Sequence, residues 1–112
     1  MADTVYEVVA SGSSSVSVVA PTENLRLIGF SVVETNSSAS EVSIQEGVSS
    51  DIANELCAVT LAPGESAREW FGEHGIPCPG GIFLDRRAGE SRAVIYYRVS
   101  DRGKDSFAPP SW

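Results

Sequence analysis

Between Thr4 and Val99 the chain passes through eight short apolar runs, each closed by a cluster of Gly, Pro, Ser, Asn or Asp. Several alternate strictly, as in Ser15-Val16-Ser17-Val18, Glu41-Val42-Ser43-Ile44 and Arg92-Ala93-Val94-Ile95-Tyr96-Tyr97-Arg98-Val99. A period of two sends successive side chains to opposite faces, so one face of each run enters a core and the other meets water or a partner. Many such runs separated by turn residues specify an all-β fold, an antiparallel sandwich or a barrel.

Strands are expected at roughly 4–10, 14–20, 24–34, 39–46, 55–61, 66–71, 81–85 and 91–99. Ser11-Gly12-Ser13-Ser14, Pro21-Thr22-Glu23-Asn24 and Asn36-Ser37-Ser38 supply the first turns, from residue types that favour them locally. The run Leu25–Glu34 is the longest and most apolar, and is placed centrally. Its phase changes between Leu27 and Ile28 beside Gly29, which predicts a β-bulge or a strand buried on both faces. Ala62-Pro63-Gly64-Glu65 reads as a β-turn, with Pro second and Gly third. Residues 47–54 break the alternation and have room for one turn of helix. Ser66-Ala67-Arg68-Glu69 fits a capping box, but Gly64 and Gly72 stand too close for a stable helix, so a strand is expected. Gly75-Ile76-Pro77-Cys78-Pro79-Gly80-Gly81 reads as a tight loop without regular structure. The expected core is Val5, Val16, Val18, Leu27, Phe30, Val42, Ile44, Val59, Leu61, Phe83, Ile95 and Tyr97, with Cys57 in phase with Val59 and Leu61.

At 112 residues this is one domain over 1–99, near the common size for a single core. Residues 100–112 form an extended C-terminal arm, since Ser100-Asp101-Arg102-Gly103-Lys104-Asp105-Ser106 is polar and Pro109-Pro110 favours polyproline II. The arm ends in aromatics that gain by burial on another chain. Its candidate protein-interaction residues are Arg102, Lys104, Phe107, Pro109, Pro110 and Trp112.

The formal charge of −7 is unevenly spread: residues 1–84 carry eleven acids against Arg26 and Arg68, while residues 85–112 carry six basic groups against four acids. An acidic body repels nucleic acid, whose non-specific affinity rests on neutralised phosphates. The asymmetry also suits contact between the basic end of one copy and the acidic body of the next. No run approaches the ~20 apolar residues of a membrane helix, and Met1-Ala2-Asp3-Thr4 lacks the marks of a secretory signal, so synthesis in the cytoplasm is expected.

No catalytic, metal or cofactor constellation emerges. His74 and Cys78 are four apart, yet Pro77 and Pro79 hold that cysteine in a stiff loop, and a structural thiol is expected. Zinc would want four Cys or His ligands, and only Cys57, His74 and Cys78 exist. Both thiols are expected to be free and partly buried. Gly80-Gly81 lacks the spacing and the Lys-Ser/Thr of a phosphate loop. Trp70-Phe71 and Tyr96-Tyr97 are adjacent aromatics; on a strand one of each pair faces the core, and the other is left for an interface or a sugar.

Leu25-Arg26-Leu27-Ile28-Gly29-Phe30-Ser31-Val32-Val33-Glu34, Val42-Ser43-Ile44-Gln45-Glu46-Gly47 and Leu61-Ala62-Pro63-Gly64-Glu65-Ser66-Ala67-Arg68-Glu69-Trp70-Phe71 resemble segments of small virion proteins of tailed bacteriophages. Gly80-Gly81-Ile82-Phe83-Leu84-Asp85 and Val94-Ile95-Tyr96-Tyr97-Arg98-Val99 extend the likeness over roughly residues 24–99. The resemblance implies a jelly-roll-like β-sandwich that decorates or cements a capsid from outside. Its partner would be the lattice of major capsid protein, and its usual state a homo-oligomer, most often a trimer. It carries no catalytic residues and no cofactor. The alternative is a β-sandwich binding module of a tail or fibre, with carbohydrate as ligand.

Overall fold

The computed structural model describes residues 4–99. Nine strands occur among them: β1 (Val5–Gly12), β2 (Val16–Val19), β3 (Leu25–Glu34), β4 (Ser40–Glu46), β5 (Glu55–Leu61), β6 (Ser66–Trp70), β7 (Ile76–Pro77), β8 (Ile82–Ala88) and β9 (Ser91–Val99). A single 3-10 turn, Ile52–Asn54, is capped by the Asp51 carboxylate, which accepts from the Ala53 amide at 3.1 Å. The expected arm over 100–112 lies outside the described residues.

Antiparallel pairing joins β4 to β5, β3 to β6, β2 to β8 and β1 to β9. These four pairs form one ribbon folded back at the β4–β5 connection. The ribbon wraps so that β9 also pairs with β3, and β8 with β4. The first sheet is then β1-β9-β3-β6, with β7 continuing the β6 edge, and the second is β2-β8-β4-β5. This is jelly-roll topology, a sandwich of two antiparallel sheets.

The phase change in β3 is a bulge: its register with β9 slips between Leu27 and Gly29. Leu25, Leu27, Phe30 and Val32 thereby all reach the core, where they meet Val42, Ile44, Val59, Leu61, Ile82, Leu84, Ala93 and Ile95. Burying a side chain of this size contributes about 1.5–3 kcal/mol. The Ala62–Glu65 turn closes with Glu65 N donating to Ala62 O at 2.9 Å, and Gly64 takes the positive φ of 77° that the turn requires.

Five core expectations need correction. Val5 is exposed because β1 is phased by Val8 and Ala10, opposite Ile95 and Ala93, which turns Val5 outward beside Arg98. Val16 faces Leu84, but β2 is an edge strand with nothing beyond it among the described residues, and the side chain stays 40% exposed. Val18 and Tyr97 only flank the core. Phe83 is buried, yet on the other face of β8 from Ile82 and Leu84, beside Gln45.

Two element boundaries also differ. Ile76-Pro77 pairs with Leu27 and Arg26, because an edge position tolerates the missing Pro77 donor. β8 runs on to Ala88 because Arg86 turns inward and is only 8% exposed. Its Nε donates to Ser91 Oγ (3.0 Å), Nη1 to Ser14 O (2.8 Å), and Nη2 to Ala10 O (2.6 Å) and Ser91 O (3.0 Å). One guanidinium thus ties the β1–β2 turn to the start of β9.

Two carboxylates pin loops in the same way. Glu34 accepts from Gly64 N at 2.6 Å, from Ser38 N at 3.2 Å and from Asn36 N, joining the β3–β4 and β5–β6 connections. The Gly64 bond leads in holding this carboxyl below its ordinary value of 4.5. Burial raises Asp85, but bonds from Ser50, Ser15, Arg87 and Gln45 outweigh it and leave the group below 3.8. Both folded values lie beneath the unfolded ones, so each group stabilises the fold fully above the unfolded value. Stability should therefore hold from neutrality to about pH 5, then fall as acid drops below the ordinary carboxylate values of 4.5 and 3.8. Urea midpoints measured against pH check this. In Glu34→Gln the fall should be shallower, and an identical pH profile would refute the assignment.

Candidate functional site

The outer face of the first sheet collects side chains from four strands. Register places Val5, Arg98, Arg26 and Pro77 in one row, then Glu7, Tyr96, Gly29 and Trp70 in the next. Val9, Val94, Ser31 and Arg68 follow, and then Ser11, Arg92, Val33 and Ser66. Strand alternation explains the membership: once Ile95 and Tyr97 turn inward, Arg92, Val94, Tyr96 and Arg98 must turn outward.

The aromatics sort as alternation requires. Phe71 packs on the core residue Phe30 with centroids 6.1 Å apart, and Tyr97, beside the core, stacks on the half-exposed Tyr6 at 5.6 Å. Trp70 and Tyr96 point the other way and meet edge to face at 5.9 Å. Trp70 is 58% exposed, the highest value among the large hydrophobic residues of this face, followed by Val9 at 47% and Val5 at 39%. Gly29 lies between the two aromatic positions, paired with Trp70 on one side and Tyr96 on the other. A Cβ there would stand 2.5 Å from Glu69 O and 3.0 Å from Trp70 Cε3. The glycine is what lets the indole lie against the sheet. An open cleft of about 540 Å³ sits beside it, lined by Phe30, Ser31, Arg68, Glu69, Trp70 and Tyr96.

Charge on this face opposes that of the chain. In these rows Arg26, Arg68, Arg92 and Arg98 stand against Glu7, with Glu69 lining the cleft, on a protein whose formal charge is −7. Arg26 and Arg98 are directly opposite each other, a like-charge pairing that costs stability within a sheet. Arg26 Nη1 donates to His74 O at 3.1 Å, while Arg98 Nε is buried with no hydrogen-bond partner among the described residues. Exposed aromatic and aliphatic anchors among arginines are the composition of a protein-docking surface.

The arm residues singled out from the sequence, Arg102, Lys104, Phe107, Pro109, Pro110 and Trp112, lie outside the described residues. The sequence leaves one aromatic of Trp70-Phe71 and one of Tyr96-Tyr97 for an interface or a sugar but does not join them into a sheet face, although the parity of Arg92, Val94, Tyr96 and Arg98 marks one strand of it. Cys57 and Cys78 are free thiols, as expected. Cys78 is fully buried and Cys57 half-buried opposite Ile44. Burial first, and the nearby carboxylates of Glu55 and Glu46 respectively, push both thiols up to about 12, which leaves neither a ready nucleophile. Among the described residues no group of three His, Cys, Asp or Glu is arranged to hold a metal ion. No family model, curated protein or solved structure matches the chain.

Proposed function

We propose that the protein is a non-enzymatic structural component of a bacteriophage virion, a decoration protein that lies on the outside of the head. In this reading the outer face of the first sheet docks on the lattice of major capsid protein. The observation that carries it is the exposed Trp70, set on Gly29 and flanked by Tyr96 and the arginines of the same face, on an otherwise acidic chain. The jelly-roll topology and the resemblance of residues 24–99 to virion proteins support it. The reading includes a homo-oligomeric state, no cofactor and no nucleic-acid or membrane partner.

Capsid shells lacking the protein provide the test. The wild-type chain should co-sediment with them and slow their thermal disruption. Trp70→Ala should weaken binding by at least about tenfold, since central aromatic anchors carry over ~2 kcal/mol, while circular dichroism stays unchanged. Equal binding by the variant, or no binding by either, sinks the reading.

The cleft beside Trp70 favours a second reading, a carbohydrate-binding module of a tail or fibre. It combines an indole face with the polar Ser31, Arg68 and Glu69. Selective, Trp70-dependent binding on a glycan array would favour it over decoration.

A further inference from the structure

A sheet edge presents unpaired backbone donors and acceptors, and folded proteins blunt such edges with short strands, bulges, Pro or charge. Three edges of this sandwich are blunted. β2 has four residues and a register slip between Ser17 and Val19. β5 starts at Glu55, where a register slip between Ile44 and Gln45 of β4 bends the pairing. β6 has five residues, among them Arg68 and Glu69, and its edge continues into Pro77. The fourth edge, β1, is different. Its eight residues pair with β9 in unbroken register, without a proline or a bulge, and Glu7 is its one charged residue. Tyr6 and Val9 on it are 49% and 47% exposed.

We propose that β1 is a self-association edge that takes the β1 of a second copy, antiparallel across a two-fold axis, to join two first sheets into one. The occupant follows from self-complementarity. In an antiparallel pair, opposed residues share a face. Centring the pair on Glu7 would set that carboxylate against its own copy. Centring it on Val9 would draw Gly12, with φ of 125°, into the pairing. Centring it on Val8 avoids both: Glu7 faces Val9, Tyr6 faces the small Ala10, and Val5 faces Ser11. Alternation then keeps Glu7 and Val9 on the outer face in both copies. The Trp70 surface sits at the opposite edge of the sheet and stays open, so the contact does not depend on what that face binds. A two-fold contact of this kind is isologous and closes at two subunits, in place of the three-fold state that the virion resemblance implies.

A single strand edge is small beside the roughly 1,600 Å² of a standard stable interface, so the dimer should dissociate on dilution. Sedimentation velocity on the full chain over a concentration series tests it, with two substitutions at the half-exposed Val9. Val9→Glu sets a new carboxylate against Glu7 of the other copy, twice by symmetry, and should weaken association by roughly tenfold. Val9→Lys sets a cation there and should leave association equal or tighter. Unchanged circular dichroism in both variants keeps folding out of the comparison. A reversible wild-type dimer with this opposite response supports the proposal. A wild-type monomer at every concentration, a trimer, or the same response to both substitutions overturns it.

Discussion

Replacing Arg86 with alanine is expected to cost about 3 kcal/mol of folding stability, from the three backbone carbonyls and one hydroxyl left unpaired in a largely buried site. The guanidinium is held by dipoles, with Ala10, Ser14 and Ser91 as its partners, and burial lowers its pKa. Lysine should recover less than half of the loss, because a single ammonium cannot reach divergent acceptors as a planar fork does. Denaturant unfolding of the wild type, Arg86→Ala and Arg86→Lys measures all three. A loss under about 1 kcal/mol for alanine, within the net worth of one ordinary hydrogen bond, would show that water replaces the guanidinium freely. Hydrogen exchange adds a spatial check. The amides of the β1–β2 turn and the start of β9 should lose protection first, since these are what Arg86 ties together.

Gly29→Val should separate fold from face. The new side chain begins 2.5 Å from Glu69 O and 3.0 Å from Trp70 Cε3, so β6 must move outward or the indole must leave the sheet. Overpacking of this kind costs about 1–3 kcal/mol. The backbone of Gly29 does not need positive φ, so the penalty comes from crowding and not from strain. The expected results are a destabilised but folded protein, a tryptophan emission shifted to the red and, under the proposed function, capsid binding reduced about as far as in Trp70→Ala. Wild-type emission and binding in a folded Gly29→Val variant would mean that the Trp70 position is not set by this glycine.

Much of the fold could be read from the chain because its signals are local. Short runs bounded by turn residues marked all eight long strands, several of them by strict alternation, Gly29 beside a change of phase marked the bulge, and Pro63-Gly64 marked a turn that the backbone makes. Charge misled at β8: Asp85-Arg86-Arg87 reads as a strand end, yet Arg86 is an interior residue whose partners come from Ala10, Ser14 and Ser91. The candidate site was legible only in part. One parity of β9 gives Arg92, Val94, Tyr96 and Arg98, but their neighbours Glu7, Arg26, Gly29 and Trp70 arrive from three other strands.

The sequence by itself determined which segments are the long strands, where most of them turn, and which parity β4 and β9 bury. A period of two is a property of a single strand and needs no partner to be read. Tertiary structure alone decided that β9 lies between β1 and β3, that β1 and β2 are edges, and hence that Val5 and Val16 stay exposed while Arg26 meets Arg98. Pairing order is set by the packing of the whole ribbon on itself, and a side chain at an edge is covered only if something lies beyond it.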